Sequence, residues 1–252
     1  MHRTRSLLLA ALIGAAALTP LAARQAAPVA APFAAAVASP DRPQADTVRD
    51  ADRKPGEVMA FAGIKPGMSV VEIAPGGGYY TRLLSLALGP KGTLYPRGGK
   101  IGPAIEDWAK AHPNTQPLAY AAGQAPLAPK PVDLVWTTLN YHDFKNNQTA
   151  DGKNLAEVIN AEAFKALKPG GVYLINDHAA APGSPADVTS TLHRIEEATV
   201  IREVEAAGFK LESKSPLLAH AADDHTQKVF ETGVRGKTDQ FLLKFRKVKG
   251  KR

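Results

Sequence analysis

Short apolar runs alternate along this chain with segments in which apolar residues recur at helical spacing. The apolar runs predict buried strands, at 68–73, 93–95, 118–121, 132–137, 172–175, 210–213 and 241–245. The helical spacing predicts helices, at 55–63, 80–88, 103–111, 155–167 and 192–207. Strands that alternate with helices in this way favour an α/β fold with a mostly parallel sheet of seven strands.

The first 38 residues do not follow this pattern. Arg3 and Arg5 precede an apolar segment at 6–18 that is short for a membrane span, and Ala36-Val37-Ala38 has the small residues of a cleavage site. We therefore predict a signal peptide with an Ala/Pro-rich spacer over 1–38 and a single domain over 39–252. A periplasmic or secreted location without stable membrane insertion follows. Cleavage after Ala23 and an uncleaved membrane anchor are the alternatives.

The formal net charge of +7 is unevenly distributed. Residues 235–252 contain eight lysines and arginines and one acid, so the remainder of the mature chain is mildly acidic. This distribution argues against a nucleic-acid-binding domain. The chain contains no cysteine, which excludes disulfides, thiolate metal sites and cysteine nucleophiles.

A glycine-rich loop follows the first predicted strand. The stretch VVEIAPGGGYY at 70–80 places Glu72 near the end of the strand and three glycines just before a helix. In open α/β sheets ligands bind outside the carboxyl ends of the strands, and glycines there let the backbone approach a ligand closely. Free N–H groups at the helix start favour a ligand with an anionic group. A tight turn without a ligand is the alternative.

Three sequence blocks, in this order, resemble the class I S-adenosylmethionine-dependent methyltransferases. They are EIAPGGG at 72–78, VDLVWTTLNYHDF at 132–144 and LKPGGVYLINDH at 167–178. The resemblance covers nearly all of residues 55–250, and more narrowly the chain resembles a group of exported bacterial methyltransferase-like proteins. It implies a Rossmann-like sheet with helices on both faces and an antiparallel last strand.

The resemblance also implies S-adenosyl-L-methionine as the cofactor. The residues that it places around this molecule are Glu72, Ala74, Gly76, Gly78, Tyr79 and Asn140. Two positions depart from the family pattern. Ala74 replaces the first glycine of the loop, and Tyr95-Pro96-Arg97 stands where the family places an acid for the ribose hydroxyls. A carboxylate there is a strong, specific contact, so its absence implies weaker binding or a different contact with the ribose.

Polar residues follow the fourth and fifth strands, whose ends are adjacent in this topology. The predicted catalytic residues are His142, Asn140, Asp177 and His178. Either histidine could take a proton from a methyl acceptor, oriented by Asp177 or by Asp143. A divalent metal at the same cluster is an alternative, although no HxH or HxxxH spacing supports it and no metal ligand is assigned. The other alternative is that these residues only cap helices and bond loop backbone.

Two more polar groups are open to two interpretations. His193-Arg194 are predicted on a solvated helix face, with a reach into the cleft as the alternative. Asp223-Asp224-His225 lie in a long segment, 218–237, which is interpreted either as a flap over the site or as a polar loop.

The leading hypothesis is an exported enzyme that transfers a methyl group from S-adenosylmethionine to a small molecule. The cofactor is made in the cytoplasm, so an exported, non-catalytic ligand-binding relative of the same fold is the alternative. Metal-dependent hydrolysis is a third class, which requires a bound metal. A small molecule is the expected partner in the first two cases, and nucleic acid in none.

Overall fold

The structure is a computed structural model that describes residues 31–248. Within this range seven strands form one sheet in the order β3-β2-β1-β4-β5-β7-β6. The strands are β1 (Ser69–Ile73), β2 (Thr93–Gly98), β3 (Leu118–Ala119), β4 (Val132–Thr138), β5 (Leu167–His178), β6 (Phe209–Ser215) and β7 (Gln240–Lys247). The first five pair in parallel, and β7 runs antiparallel between β5 and β6. The predicted fold, mostly parallel with an antiparallel last strand, is confirmed.

Helices surround this sheet. They are α1 (Ala31–Val37), α2 (Gln44–Thr47), α3 (Asp50–Arg53), α4 (Pro55–Ala62), α5 (Tyr79–Leu88), α6 (Pro103–Ala111), α7 (Tyr141–Asn146), α8 (Leu155–Ala166), α9 (Val188–Thr191) and α10 (Glu197–Ala206). The helix predicted at 103–111 has the predicted bounds, and α4 ends at Gly63 with φ of +80°, a conformation that glycine adopts without strain. None of the helices within 31–248 is long and apolar enough to span a bilayer.

The central strands divide the core into two layers. Successive residues of a strand point to opposite faces of a sheet, so Val70 and Val71 of β1 belong to different apolar clusters. One cluster contains α1, α4 and α5, and the other contains α8 and α10. Burial on both faces explains why these strands are almost continuously apolar in sequence.

Three local predictions are wrong in extent. The predicted helix at 192–207 begins only at Glu197, because Ile195 pairs with Ala179 in an isolated β-bridge just beyond the end of β5. The β5 strand begins at Leu167, five residues before the predicted start, since Leu167 pairs with Val132 across a bulge. The loop predicted after β4 contains the short helix α7.

The segment between α1 and α4 is fixed to the start of α5 by charged side chains. The buried pair Asp46–Arg82 has a separation of 2.6 Å, and Arg42 binds Asp50 at 2.7 Å. The Tyr79 hydroxyl also donates to Asp50, at 2.6 Å. These contacts hold α3 in place as one wall of the site described below.

Helix α1 overlaps the predicted spacer. Its Phe33 and Ala36 are buried in the apolar cluster that contains α5. Cleavage after Ala38 would remove this helix, whereas cleavage after Ala23 would retain it. The charged start, the apolar segment and the Ala23 site of the predicted signal peptide lie outside the described residues.

Candidate functional site

The glycine loop reverses the chain between β1 and α5. Ala74, Gly76 and Gly78 have left-handed backbones, with φ of +55°, +54° and +83°. A Cβ atom added at Gly76 would meet no atom within 4 Å, whereas one at Gly78 would lie 3.0 Å from both Arg82 and Ile105. The backbone at Gly76 therefore faces open space, and Gly78 is required for packing at the helix start.

A cavity of about 160 Å³ lies directly over this loop and is called the glycine-loop cavity below. Of the six predicted cofactor residues, five line it, namely Glu72, Ala74, Gly76, Tyr79 and Asn140. Gly78 is not among the lining residues. Asn140 Nδ2 donates to the carbonyl oxygen of Ala74 at 3.1 Å, which ties the end of β4 to the loop.

Two larger cavities adjoin the glycine-loop cavity. The β2-edge cavity, about 320 Å³, shares Ile73 and Ala74 with it and is also lined by Arg97. The flap cavity, about 570 Å³, shares Leu139 and two arginines with it and is also lined by His178, Phe230 and Arg235. Small-molecule pockets usually measure at least about 300 Å³. A ligand at the glycine loop is therefore expected to extend into an adjoining cavity.

Glu72 is the acid of the glycine-loop cavity. Its side chain is buried and accepts a hydrogen bond of 2.6 Å from Thr81 Oγ1. Burial raises the pKa of the Glu72 carboxyl to about 8, against the opposing influence of Thr81 and Arg82. Glu72 is therefore mostly protonated at neutral pH, and a nearby cation would favour its charged form.

Arg53 of α3 and Arg49, the residue just before α3, line the glycine-loop cavity. The guanidinium carbons of Arg49 and Arg53 lie 5.0 and 4.6 Å from the centroid of the Tyr79 ring. Neither side chain forms an ion pair or hydrogen bond with any residue of the described 31–248. Burial, and then the charge of Arg49, lower the pKa of Arg53. These cations were missed in the sequence, where alternating charges at 49–53 are typical of a solvated linker.

At the end of β2, Arg97 occupies the place of the missing ribose acid. Its side chain is 3% exposed and donates to the carbonyl oxygens of Leu127 at 2.7 Å and Gln116 at 2.9 Å. Burial lowers the pKa of Arg97. The β2-edge cavity thus has a buried cation on its wall at the position where the resemblance implies an anion.

The ends of β4 and β5 bring His142, Asp177 and His178 together. The fully buried Asp177 carboxylate accepts from His142 Nδ1 and from the backbone N–H groups of His142 and His178, each at 2.8 Å. Burial opposes the charged form of His142, but the charge and hydrogen bond of Asp177, with Asp143, raise the His142 pKa. His142 and Asp177 are not among the residues that line the three cavities.

His178 faces the flap cavity. Its Nδ1 lies 2.7 Å from Thr238 Oγ1, and burial lowers its pKa to about 4. The imidazole is therefore neutral at physiological pH. Of the four predicted catalytic residues, Asn140 and His178 border a cavity, while His142 and Asp177 lie behind them.

The predicted solvated helix face at His193-Arg194 is wrong. Arg194 is fully buried and binds Asp223 through two hydrogen bonds, of 2.7 and 3.0 Å. His193 Nδ1 lies 3.5 Å from Asp143 Oδ1, and its ring centroid is 5.3 Å from that of His142. A third imidazole therefore joins the cluster, which the sequence did not indicate because the β-bridge at Ile195 decides the direction of this segment.

The long segment 218–237 lies over the edge of the sheet. Asp223 fixes it to Arg194, and the Val229 N–H donates to the Leu192 carbonyl oxygen at 3.2 Å. Phe230 and Arg235 of this segment line the flap cavity. Asp223 therefore anchors the segment. His225, two residues further on, has its Nε2 atom 3.0 Å from Asp239 Oδ2.

Comparison with known proteins gives matches among solved structures. No protein-family model and no curated protein sequence matches the chain. A SAM-dependent methyltransferase from Aquifex aeolicus is 19% identical with a TM-score of 0.55, over 81% of this chain and 96% of the other. Fibrillarin from Aeropyrum pernix, solved with natively bound S-adenosyl-L-methionine, is 14% identical with a TM-score of 0.50, over 75% and 73%. The [4+2]-cyclase SpnF is 15% identical with a TM-score of 0.54, over 79% and 82%.

These similarities establish the fold of this chain. It has the class I fold of the SAM-dependent methyltransferases. At identities of 14–19% they carry no further statement about its chemistry.

Proposed function

We propose that this protein binds S-adenosyl-L-methionine along the glycine-loop and β2-edge cavities and transfers its methyl group to a small molecule in the flap cavity. The observation that carries the proposal is the series of three cavities along the carboxyl edge of the sheet, in which the central cavity shares lining residues with each of the other two. The central one is built on a glycine loop whose Gly76 has open space above it. Ligands of open α/β sheets bind at this edge.

The residues of the glycine-loop cavity suit the charges of this cofactor. Glu72 would hold the ammonium group, since a cation compensates the burial of its carboxylate. Arg53, which has no acidic partner within the described residues, would hold the carboxylate with Arg49. The adenosine part of the cofactor would occupy the β2-edge cavity, where Arg97 and backbone groups of the lining residues would contact the ribose in place of an acid. When bound, the cofactor supplies an electrophilic methyl group on a sulfonium.

The residues of the flap cavity suit an acceptor that loses a proton. His178 is neutral and faces the cavity, so it can take a proton from an attacking oxygen or nitrogen. Asn140 lies at the border of the glycine-loop cavity. Its side-chain amide can donate a hydrogen bond to the methyl acceptor only by giving up its hydrogen bond to the carbonyl oxygen of Ala74 or of Thr138. Phe230 of the long segment gives this cavity an apolar wall against which a small molecule can be positioned.

Titration calorimetry with two matched glycine variants tests the proposal. Gly76→Ala adds a methyl group that meets no protein atom but enters the proposed cofactor site, and we expect at least about a 10²-fold loss of affinity for S-adenosylmethionine. Gly67→Ala is the control. Gly67 also has a left-handed backbone, with φ of +84°, and open space around its Cβ position, but it lies before β1 at the other end of the sheet. It should bind like the wild type.

Absence of binding to the wild type at millimolar cofactor would contradict the proposal. A parallel loss in both glycine variants would point to backbone strain and not to occupation of the site. Methyl transfer itself is tested with isotopically labelled cofactor and candidate oxygen and nitrogen nucleophiles.

A second candidate function is ligand binding without catalysis on the same fold. Arg97 favours it, because a buried cation at the end of β2 replaces the anion that would hold a ribose. Retention of another ligand, identified by mass spectrometry of the purified protein, together with no cofactor binding, would support this alternative.

Export to the periplasm or beyond the cell is part of the proposal. Arg3, Arg5 and the apolar segment at 6–18 support it. The burial of Phe33 favours cleavage before α1, close to Ala23, over cleavage after Ala38. N-terminal sequencing of the protein recovered from outside the cytoplasm should give a start between Arg24 and Ser39. An intact Met1 in that fraction would contradict processing.

A further inference from the structure

Three potential metal ligands converge at the start of α7, beside the flap cavity. His142 Nε2 and His193 Nδ1 each lie 3.5 Å from Asp143 Oδ1. The three atoms all lie within 4.8 Å of one another. We propose that His142, Asp143 and His193 bind a divalent first-row transition metal ion, with Zn²⁺ as the best match.

The separations suit such an ion. Zn²⁺ lies about 2.0–2.2 Å from imidazole nitrogens and carboxylate oxygens, and tetrahedral geometry at this distance separates its ligand atoms by about 3.4 Å. Both contacts of the Asp143 oxygen, at 3.5 Å, are close to that value. The side chain of His193 is 24% exposed and that of Asp143 is 47% exposed, so both can rotate slightly to complete the geometry. Two imidazoles and one carboxylate leave a fourth position for water or another ligand.

Asp177 orients the first ligand for this role. It accepts from His142 Nδ1, so the proton of the neutral imidazole is on Nδ1, and Nε2, which lies 3.5 Å from Asp143 Oδ1, keeps a free lone pair for a metal. A histidine that binds a metal through one nitrogen usually donates from the other to a carboxylate or a carbonyl. Asp177 is fixed in turn by two backbone N–H groups.

His193 has two costly features that coordination would explain. Its Nδ1 atom is buried and, although it lies 3.5 Å from Asp143 Oδ1, makes no hydrogen bond with the described residues, and its backbone has φ of +55°. An unpaired buried nitrogen and a left-handed non-glycine residue each require compensation from the surroundings. The backbone strain is compensated by the neighbouring Arg194, because the buried ion pair of Arg194 with Asp223 fixes the segment. A bound metal would compensate the burial of the imidazole nitrogen.

Metal titration of the untagged full-length protein tests the site, after dialysis against a chelator. Calorimetry with Zn²⁺ should give one ion per chain, Co²⁺ should give the visible absorption of a tetrahedral site, and excess Zn²⁺ should raise Tm by several degrees. Loss of a residue that only orients a metal ligand typically weakens metal binding by about 10–100-fold. His193→Ala and Asp143→Ala each remove a ligand, so each should weaken Zn²⁺ binding by more than this. His193→Gly removes the imidazole and also suits the left-handed backbone, so it separates ligand loss from misfolding.

His225→Ala is the matched control, because His225 also lies against a carboxylate at the sheet edge but belongs to no group of three potential metal ligands among the described residues. It should keep the stoichiometry and affinity of the wild type. No stoichiometric binding to the wild type, or equal affinity in the wild type and His193→Gly, would overturn the proposal. An equal loss in His225→Ala would do the same, as it indicates unspecific binding. None of these measurements uses the methyl donor, so their outcome is independent of the proposed methyl transfer.

Discussion

The two sides of the sheet's carboxyl edge differ in how their charged groups are satisfied. On the glycine side, around the loop after β1, Arg49 and Arg53 have an aromatic face but no acid among the described residues, and Glu72 keeps its proton at neutral pH. On the histidine side, around the ends of β4 and β5, Asp177 accepts three hydrogen bonds and Arg194 is paired with Asp223.

This difference indicates separate roles. A side with uncompensated charges beside open cavities gains from a charged ligand, because the ligand supplies the missing partners. A side with paired charges holds its imidazoles in fixed positions before any ligand arrives, as preorganised sites do. In the proposed function, the glycine side is therefore the binding half of the edge, and the histidine side is the half that orients reacting or coordinating groups.

The largest effect is expected from removal of a charge that fixes the histidine side. Asp223→Asn leaves the fully buried Arg194 without its anionic partner, and loss of one member of a buried pair typically costs about 3–5 kcal/mol. Urea unfolding should show a fall of this size in the free energy of unfolding. Asp224→Asn, at the next and exposed position, is the control and should leave the unfolding midpoint unchanged. Equal midpoints for both variants would show that the pair does not hold this region.

Loss of the neutral imidazole in the flap cavity should affect rate and not binding. His178→Gln keeps a group that can bond Thr238 but removes the proton acceptor, and we expect turnover to fall about 10²-fold. This is the low end of the usual range, because a base with a pKa of about 4 is weak. Cofactor affinity should not change. If turnover falls in His142→Ala without loss of metal, and not in His178→Gln, then His142 is the base.

Protonation of Glu72 should make cofactor binding depend on pH. The positively charged ligand favours the carboxylate, which in the free protein carries a proton up to a pH of about 8. Affinity should therefore rise by up to about tenfold per pH unit below 8 and level off above it. Calorimetry at pH 6, 7, 8 and 9 measures this slope, and Glu72→Gln should abolish it. A slope that persists in Glu72→Gln would assign the proton to another group.

The smallest effect concerns the alanine that departs from the family's loop. Ala74 has φ of +55°, and the left-handed conformation costs a non-glycine residue roughly 1–2 kcal/mol. Glycine loses about 0.5–1 kcal/mol more in chain entropy, so Ala74→Gly should stabilise the protein by about 0–1.5 kcal/mol. Ala60→Gly, on the exposed surface of α4, is the control and should lower the free energy of unfolding. Equal destabilisation by both would show that Ala74 is not strained.

The sequence by itself determined the order and type of the main elements. Apolar runs and helical spacing depend on neighbours a few residues apart, so they are sufficient to locate β1, β4, α6 and the glycine loop. The pattern EIAPGGG also located the glycine-loop cavity, because the end of a parallel strand and the following helix fix where such a loop lies. It did not locate α2 and α3, which are held in place by contacts of Asp46 with Arg82 and of Asp50 with Tyr79.

The tertiary structure alone decided which side chains meet. His142 and Asp177 are 35 residues apart, and Arg194 and Asp223 are 29 apart. His193 reaches Asp143 because Ile195 pairs at the edge of the sheet, where the spacing predicts a helix, and Arg97 turns inward to carbonyl groups of distant loops. Such contacts depend on the packing of loops over the sheet, and this packing leaves no periodic signal in the sequence.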